Sequence, residues 1–459
     1  MKTKSYLPTL VVLFAAAFIS SYNENIINVA LVDIMAQFGV SSTTAQWLVT
    51  GYMIVTSVVV IMMAFLSQRF TSRQLVLAAC GFLVIGSVGA YLAPTFPILL
   101  AMRLFQAFGT GIFIPVMMNT VLATAPKARL GTYLSIGSAA ITLGPAFAPV
   151  ASGLMVTLLG WRSIFIVPAA VTFVLAIAAA RLVRNVGETH ALHFDVLSLV
   201  FSAVGLTLFV YGLGEITANL PVALATLAVG IAALAAFARR QDTLEHPMLN
   251  LHPLRRPRFS LAMVLVIIAM MTTFSMSVLL PLCFEGALGT TALVAGALIL
   301  PPIVGNALTS VLGGRIMDRR GTWPLLPVGF LLITVGQFAA AFAGGALAAT
   351  LVVTASVVVY AGVGLVMSPS QTAALKTLPR EENPHGVAIN STLVMVAASI
   401  GPSLFIGILS SAAASASMTG ASAAQAQAAG FSGAVIVAAF IGAAGLALAF
   451  FYALSAHRS

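Results

Sequence analysis

The sequence predicts an all-α polytopic membrane protein with fourteen transmembrane helices and both termini cytoplasmic. Three observations carry that prediction. Of 459 residues, 60% are hydrophobic and 7% are charged, whereas a soluble domain carries about 25% charged residues. The apolar residues form fourteen runs, each at least as long as the roughly 20 residues that a crossing needs. The basic residues collect in alternate joints, which marks cytoplasmic loops. The same composition excludes a disordered chain, which needs low hydrophobicity and high charge. The formal charge is +10, from 21 Lys and Arg against 11 Asp and Glu. In a soluble chain that excess suggests nucleic acid. Gathered in loops on one side it reports orientation, and no nucleic-acid partner is expected.

The runs follow in order. The first, 6–36, is preceded by Lys2 and Lys4. Its start resembles a signal peptide, but no small-x-small site leads into a soluble domain, so an uncleaved span is expected. It encloses Asn23-Glu24-Asn25, with Asn28 one turn on and Asp33 near the outer end. The second, 43–67, is followed by Arg69 and Arg73, and the third, 74–93, holds Cys80. The fourth, 97–123, contains Arg103 and leads to Lys127 and Arg129. The fifth, 130–158, contains Gly144, Pro145, Pro149 and Gly153. Gly160-Trp161-Arg162 opens the sixth, 162–183, which ends at Arg181 and Arg184. The seventh and eighth, 196–217 and 219–238, lead to Arg239, Arg240, Arg255, Arg256 and Arg258. The ninth, 260–284, holds Cys283 and stops at Glu285. The tenth, 291–313, leads to Arg315, Arg319 and Arg320. The eleventh and twelfth, 323–343 and 346–374, lead to Lys376 and Arg380. The last two, 386–413 and 429–456, bring the chain to Arg458. Only Arg103 and Arg162, 2 of the 21 basic residues, depart from the alternation.

An internal repeat organises these runs. AFLSQRFTSR at 64–73 and GRIMDRRGTW at 314–323 share a small-x-x-x-(Asp/Gln)-Arg frame, with Gln68 matching Asp318 at an offset of 250. Leu143-Gly144-Pro145 and Ile400-Gly401-Pro402 match at an offset of 257. Matches at nearly one offset indicate two homologous halves. The expected division is a six-helix half at 1–184, two extra helices with linkers at 185–254, and a second six-helix half at 255–459. Tandem halves around a membrane-normal axis form a transporter architecture with its site at the midplane.

These motifs resemble the major facilitator superfamily, and within it the fourteen-span drug:proton antiporter branch of multidrug and lincomycin-resistance-type exporters. The resemblance runs through IINVALVDI at 26–34, Gln46-Trp47 and Tyr52, RLFQAFGTG at 103–111, LGPAFAPVASG at 143–153 and Gly160-Trp161-Arg162. It continues through HPMLNLHPLRRPRF at 246–259, ALVAGALILPP at 292–302 and HGVAINST at 385–392. It implies the major facilitator fold and a proton-coupled exporter of amphipathic, cationic small molecules in a bacterial plasma membrane, working as a monomer. The sequence departs from the branch at Asn23, where an acid is usual and Glu24 stands beside it. It departs again at Gln68 for Asp and Thr71 for Gly, while the second loop copy, with Asp318, Arg319 and Gly321, is intact.

The candidate proton and substrate groups are Glu24, Arg103, Asn28, Gln106, Asp33 and Glu285. An intramembrane carboxylate faces a cavity or a partner. Glu24 therefore reads either as a proton or cation carboxylate or as a structural pair. Arg103 keeps its charge, so it reads as a sensor of that carboxylate or as a fixed pair. Asp33 and Glu285 read equally as solvated helix ends. Gly144, Pro145, Pro149 and Gly153 read as the gating segment that the resemblance implies, or as a plain kink. Arg69, Arg73, Asp318, Arg319 and Gly321 are the loop-motif residues. The two isolated cysteines give no metal site or disulfide framework. His190, His193, His246, His252, His385 and His457 lie in loops or at their edges and form no site. No phosphate-cradling glycine-lysine loop is present, so an ion gradient is expected to supply the energy, without a cofactor. Two further readings remain: export of a lipid, organic acid or endogenous metabolite on the same fold, and a non-transporting sensor or enzyme. The last predicts a catalytic cluster of His, Cys or paired acids that the sequence does not contain.

Overall fold

The structure is a computed structural model that describes residues 6–186, 195–216, 219–244 and 247–457, with side chains from 6 to 454 apart from 32, 42, 43, 292 and 293. Lys2, Lys4, His190, His193, His246 and Arg458 lie outside the described residues, as does the side chain of His457. Fifteen α-helices account for fourteen spans. The first span is two helices, α1 (Leu7–Asn25) and α2 (Ile27–Phe38), joined at Ile26. Then come α3 (Ser42–Arg69), α4 (Ser72–Leu92), α5 (Phe96–Thr124), α6 (Leu130–Leu159) and α7 (Ile166–Leu182). The extra pair is α8 (Val196–Glu215) and α9 (Leu220–Thr243). The second half is α10 (Pro257–Leu282), α11 (Ala292–Arg320), α12 (Leu325–Gly345), α13 (Ala349–Lys376), α14 (Asn383–Met418) and α15 (Ala423–His457). No strand occurs among the described residues. In a bilayer an open sheet edge has no partner for its amides, whereas a helix satisfies its own.

The repeat seen in sequence is a repeat of packing. α1 packs on α6 as α10 packs on α14, and α4 packs on α5 and α7 as α12 packs on α13 and α15. The halves meet reciprocally, α6 against α11 and α3 against α14. The extra pair is a hairpin that lies against α3 and α14. Just outside the membrane Asp195 caps α8 and accepts from Arg240 at the end of α9, at 2.9 Å. The Arg240 hydrogen bond holds the Asp195 carboxyl down at about 2. That clamp is present above the usual carboxylate range and is lost as pH falls towards that value.

Glycine sets how closely the paired helices approach. A Cβ on Gly144 would lie 2.6 Å from the Tyr22 amide nitrogen and 2.9 Å from the Phe18 carbonyl. A Cβ on Gly401, its match in the repeat, would lie 2.8 Å from Ser275 Oγ and 2.9 Å from the Met271 carbonyl. The shared Gly-Pro motif thus seats α6 on α1 and α14 on α10. Gly153 differs: its Cβ would meet only a Val29 methyl, at 4.0 Å.

Overpacking a close helix contact costs about 1–3 kcal/mol. Gly144→Val and Gly401→Val should each lower the thermal unfolding midpoint in detergent, while Gly153→Val leaves it in place. Equal midpoints for all three would remove these contacts from the packing account.

Candidate functional site

The buried polar residues of the first half converge on Arg103. Its side chain is fully buried on α5, and a permanent charge at that depth must be satisfied. Nη1 donates to the Asn23 carbonyl at 2.8 Å and to Gln106 Oε1 at 2.9 Å, and Nη2 donates to the Glu24 carbonyl at 2.8 Å. The guanidinium lies 4.0 Å from the centroid of the Tyr52 ring, a cation–π distance. The two carbonyls belong to the last turn of α1, where the break at Ile26 frees them. A cation at a helix C-terminus is favourable, so the break and the arginine support each other.

The other members extend this centre. Asn23, fully buried, donates Nδ2 to the Tyr52 hydroxyl at 3.0 Å and to Gln106 Oε1 at 3.4 Å. The Tyr52 and Thr110 hydroxyls are hydrogen-bonded. Gln106 donates Nε2 to Ser87 Oγ at 2.9 Å. Gly86 makes room for Gln106, because a Cβ there would lie 2.6 Å from Gln106 Cγ. Arg103 Nε and Asn23 Oδ1 are buried without a hydrogen-bond partner.

Glu24 is hydrogen-bonded to this centre only through its backbone carbonyl. Its carboxylate makes no hydrogen bond or ion pair among the described residues, and its side chain is partly exposed. The reason is angular: one residue turns the side chain by about 100°. Asn23 thus faces Tyr52 and Gln106, and Glu24 is turned off that face. The structure brings Arg103, Gln106 and the Glu24 carbonyl together but sets no carboxylate on the arginine. Asn28 and Asp33 are exposed on α2, beyond the break. Glu285 is exposed in a π-helical turn, Cys283–Ala287, that ends the ninth span. On α6, Gly144 is buried, Pro145 half-buried and Pro149 exposed.

The loop motifs sit where the halves meet. Asp318, at the end of α11, reaches across to the start of α6. Its carboxylate accepts from the Gly131 and Thr132 amides and the Thr132 hydroxyl, each at 2.7 Å. Lys376 Nζ stands 3.9 Å away. This is a charged N-cap supplied by the other half of the molecule. The first copy is built differently. Gln68 holds the Ala64 carbonyl at 2.7 Å and lies 3.3 Å from His385 Nε2 at the start of α14. Gly321 ends α11 at φ 73°, a conformation that favours glycine. Its counterpart Thr71 has φ −70° and caps α4 through a capping box with Gln74. Arg73 donates to the Ala180 carbonyl; Arg69 and Arg319 are exposed. Ser135 and Ser368 bridge the halves at 2.7 Å. All hydrogen bonds between the halves among the described residues lie at the end carrying the basic loops.

Arg162, the other exception to the basic pattern, locks the opposite end. It donates to Gln37 Oε1 and to the Ala93 carbonyl, both at 2.8 Å, and stacks on Trp161. Sequence reading missed Gln37, Thr110 and Ser87, which are ordinary polar residues in apolar runs. It also set His385 at a loop edge, whereas that residue is buried. No metal-binding group of His, Cys, Asp or Glu occurs among the described residues.

Comparison with known proteins agrees with this architecture. Lincomycin resistance protein LmrB of Bacillus subtilis (strain 168) is 34% identical over 409 residues, covering 88% of this chain and 85% of that protein. Lincomycin resistance protein LmrB of Listeria monocytogenes serovar 1/2a (strain ATCC BAA-679 / EGD-e) is 33% identical over 408 residues, covering 88% and 86%. Among solved structures, the proton:xylose symporter XylE bound to 6-bromo-6-deoxy-D-glucose superposes with a TM-score of 0.67 at 16% identity, over 97% of this chain and 95% of that one. That last likeness is one of fold. The family profile described as Major Facilitator Superfamily matches residues 13–402, and the chain belongs to that superfamily, as a multi-pass transporter of a bacterial plasma membrane.

Proposed function

We propose that the chain is a proton-coupled exporter of drugs or other amphipathic cations, working as a monomer by alternating access. The observation that carries this reading is a buried, permanent cation with a nearby carboxylate that makes no hydrogen bond among the described residues. Arg103 is fixed by carbonyls, so its charge stays in place. Glu24, on the same turn, is free to take a proton or a cationic cargo. The two compete for one negative charge, which is the minimum that an exchanger needs. A proton arriving from the outer side neutralises Glu24 and releases the cargo outward; its loss to the inner side restores the site. The resistance proteins named above support the cargo class.

In this reading 1–184 and 255–459 are the two moving bodies, 185–254 is an insert between them, and the basic loops and both termini face the cytoplasm. The hydrogen bonds around Asp318, Ser135 and Gln68 then close the cytoplasmic side. Gly144 with Pro145 forms the contact on which α6 moves against α1.

A second reading rests on Asn23. A neutral amide stands in the buried network, so Arg103 has no counter-ion bonded to it. That net positive centre suits an anionic cargo, such as an organic acid or lipid headgroup.

In everted membrane vesicles with an imposed pH gradient, lipophilic cations should release protons, followed by dye dequenching. Glu24→Gln should cut the response at least about tenfold, a loss of 1.4 kcal/mol or more. An undiminished response would take Glu24 out of the mechanism. A response to anions alone would select the second reading. Arg103→Lys should also fail, because one ammonium does not reproduce the fork that spans two carbonyls and Gln106. For the closed end, Asp318→Asn weakens charge-assisted bonds worth about 1.5–3 kcal/mol. A cysteine at Ser368, otherwise buried in the contact, should then label roughly tenfold faster with an impermeant maleimide from the cytoplasmic side. The native Cys80 and Cys283 are buried and give a low background. An unchanged rate would mean that Asp318 does not hold that end shut.

A further inference from the structure

A groove of about 460 Å³ runs between α4 and α7, at the end of the molecule opposite the basic loops, and its walls present no polar surface. On α4 it is lined by Val84, Ser87, Val88 and Tyr91. On α7 it is lined by Ile166, Ala169, Ala170 and Phe173. Each set has the i, i+3, i+4, i+7 spacing of one helix face, and the two helices pack on each other. The recess falls where α7 presents two alanines between larger residues. Ser87 is fully buried and gives the groove no polar atom, because its hydroxyl accepts from Gln106. Val88, Tyr91, Ile166 and Phe173 are exposed, so the groove opens on a surface that the bilayer covers.

Length and charge select the part of the bilayer that fits. From Val84 to Leu92 on one side, and from Phe165 to Phe173 on the other, the lining rises about 12 Å along a helix. The hydrocarbon of one leaflet is about 15 Å deep. The groove is thus a slot for one chain lying along the helices within one leaflet. At its head end α4 stops at Leu92 and α7 starts at Ile166. Arg162 stands there: Nη2 donates to the Ala93 carbonyl at 2.8 Å, one residue beyond Leu92. The side chain is partly exposed, and only two of its N–H groups make hydrogen bonds among the described residues, to Gln37 and Ala93. A guanidinium has five, so three are left to meet an anion. Arg103 is fully buried, which leaves Arg162 as the accessible cation of this end among the described residues. Tyr91 and Trp161 flank the same level, where aromatic residues meet lipid headgroups.

We infer that this groove is a binding site for one anionic phospholipid of the leaflet opposite the basic loops, with an acyl chain along α4 and α7 and the phosphate on Arg162. A chain in the slot touches protein on both sides, and each added atom contact contributes dispersion energy that a flat helix face does not supply. A zwitterionic head brings its own cation, which competes with Arg162 for the phosphate, so the anionic head is preferred. The site backs onto the buried arginine centre. Ser87 lines the groove and also holds Gln106, so a lipid in place braces the stretch of α4 that supports that network.

The test needs no cargo, so it stands or falls apart from the export reading. Bimane on Val174→Cys in the full-length protein, exposed on α7 beside the lining, is quenched by chain-brominated lipid in the groove, and the native Cys80 and Cys283 are buried. Val335→Cys, on the exposed face of α12, is the reference. At 174 brominated phosphatidylglycerol should outcompete phosphatidylcholine about fivefold, which corresponds to about 1 kcal/mol for one arginine at a membrane surface. At 335 the two should quench equally. Ala170→Phe fills the recess and Arg162→Gln removes the charge, and each should bring the ratio at 174 to that at 335. Equal quenching by the two lipids at 174 without a further substitution overturns the inference, and so does a preference that survives either substitution. Tetraphenylphosphonium should leave the quenching in place; its displacing the brominated lipid would make the groove a cargo site and overturn the lipid assignment. Should Arg162→Gln not fold, the ratio at 174 and its loss in Ala170→Phe decide.

Discussion

A guanidinium buried in the middle of a membrane protein is the constraint around which the first half is arranged. Arg103 does not shed its charge, and hydrocarbon offers nothing to solvate it. Every element near it is shaped by that demand. The first span breaks at Ile26 so that two carbonyls of α1 turn to the side chain. Tyr52 lays its ring against the cation, and Gln106 passes the polarity on to Ser87. Gly86 is small because Gln106 needs its space. The second half contains no buried charge of this kind among the described residues. The two halves therefore share a packing scheme but not a charge, and the fully buried cation lies on one side of the pseudo-symmetry.

The ends of the molecule show a related asymmetry. The intact loop motif closes the contact between α11 and α6 with a carboxylate on backbone amides, which is strong and local. The altered copy has Gln68 where the carboxylate would stand, so the start of α14 is not capped from the first half. That helix is instead held by an imidazole, a linker and the pair between Arg256 and Glu382. Several contacts hold the start of α14 in place of one carboxylate, and the linker from the extra helix pair supplies one of them.

Much of this was legible in the sequence. Span number and basic-loop alternation follow from bulk solvation, which hydrophobicity and charge report directly. The repeat was visible because Gly144 and Gly401 stand where two backbones nearly touch, and such contacts admit few residue types. Arg103 stood out because its charge is expensive. What escaped notice has a common cause. The break in the first span, and the choice of backbone carbonyls over the Glu24 carboxylate as partners of Arg103, involve groups that every residue carries. No side-chain pattern announces them. Gln37, Ser87 and Thr110 are of the same kind, since their roles depend on which helices lie beside them. His385 looked like a loop residue because sequence does not show that a linker 135 positions earlier folds over it.

The anchoring of Arg103 has a consequence for how such a protein changes over generations. Main-chain oxygens are not encoded one residue at a time, so no single substitution at 23 or 24 deletes the arginine's mooring. Of those two side chains, Asn23 stays tied to Tyr52 and Gln106, and Glu24 is left at liberty to drift. An acid can be lost or regained at 24, and the net charge seen by a passenger molecule can change while the scaffold stays sound. A lineage built on this arrangement can explore new cargoes by small steps without first passing through an unstable ancestor.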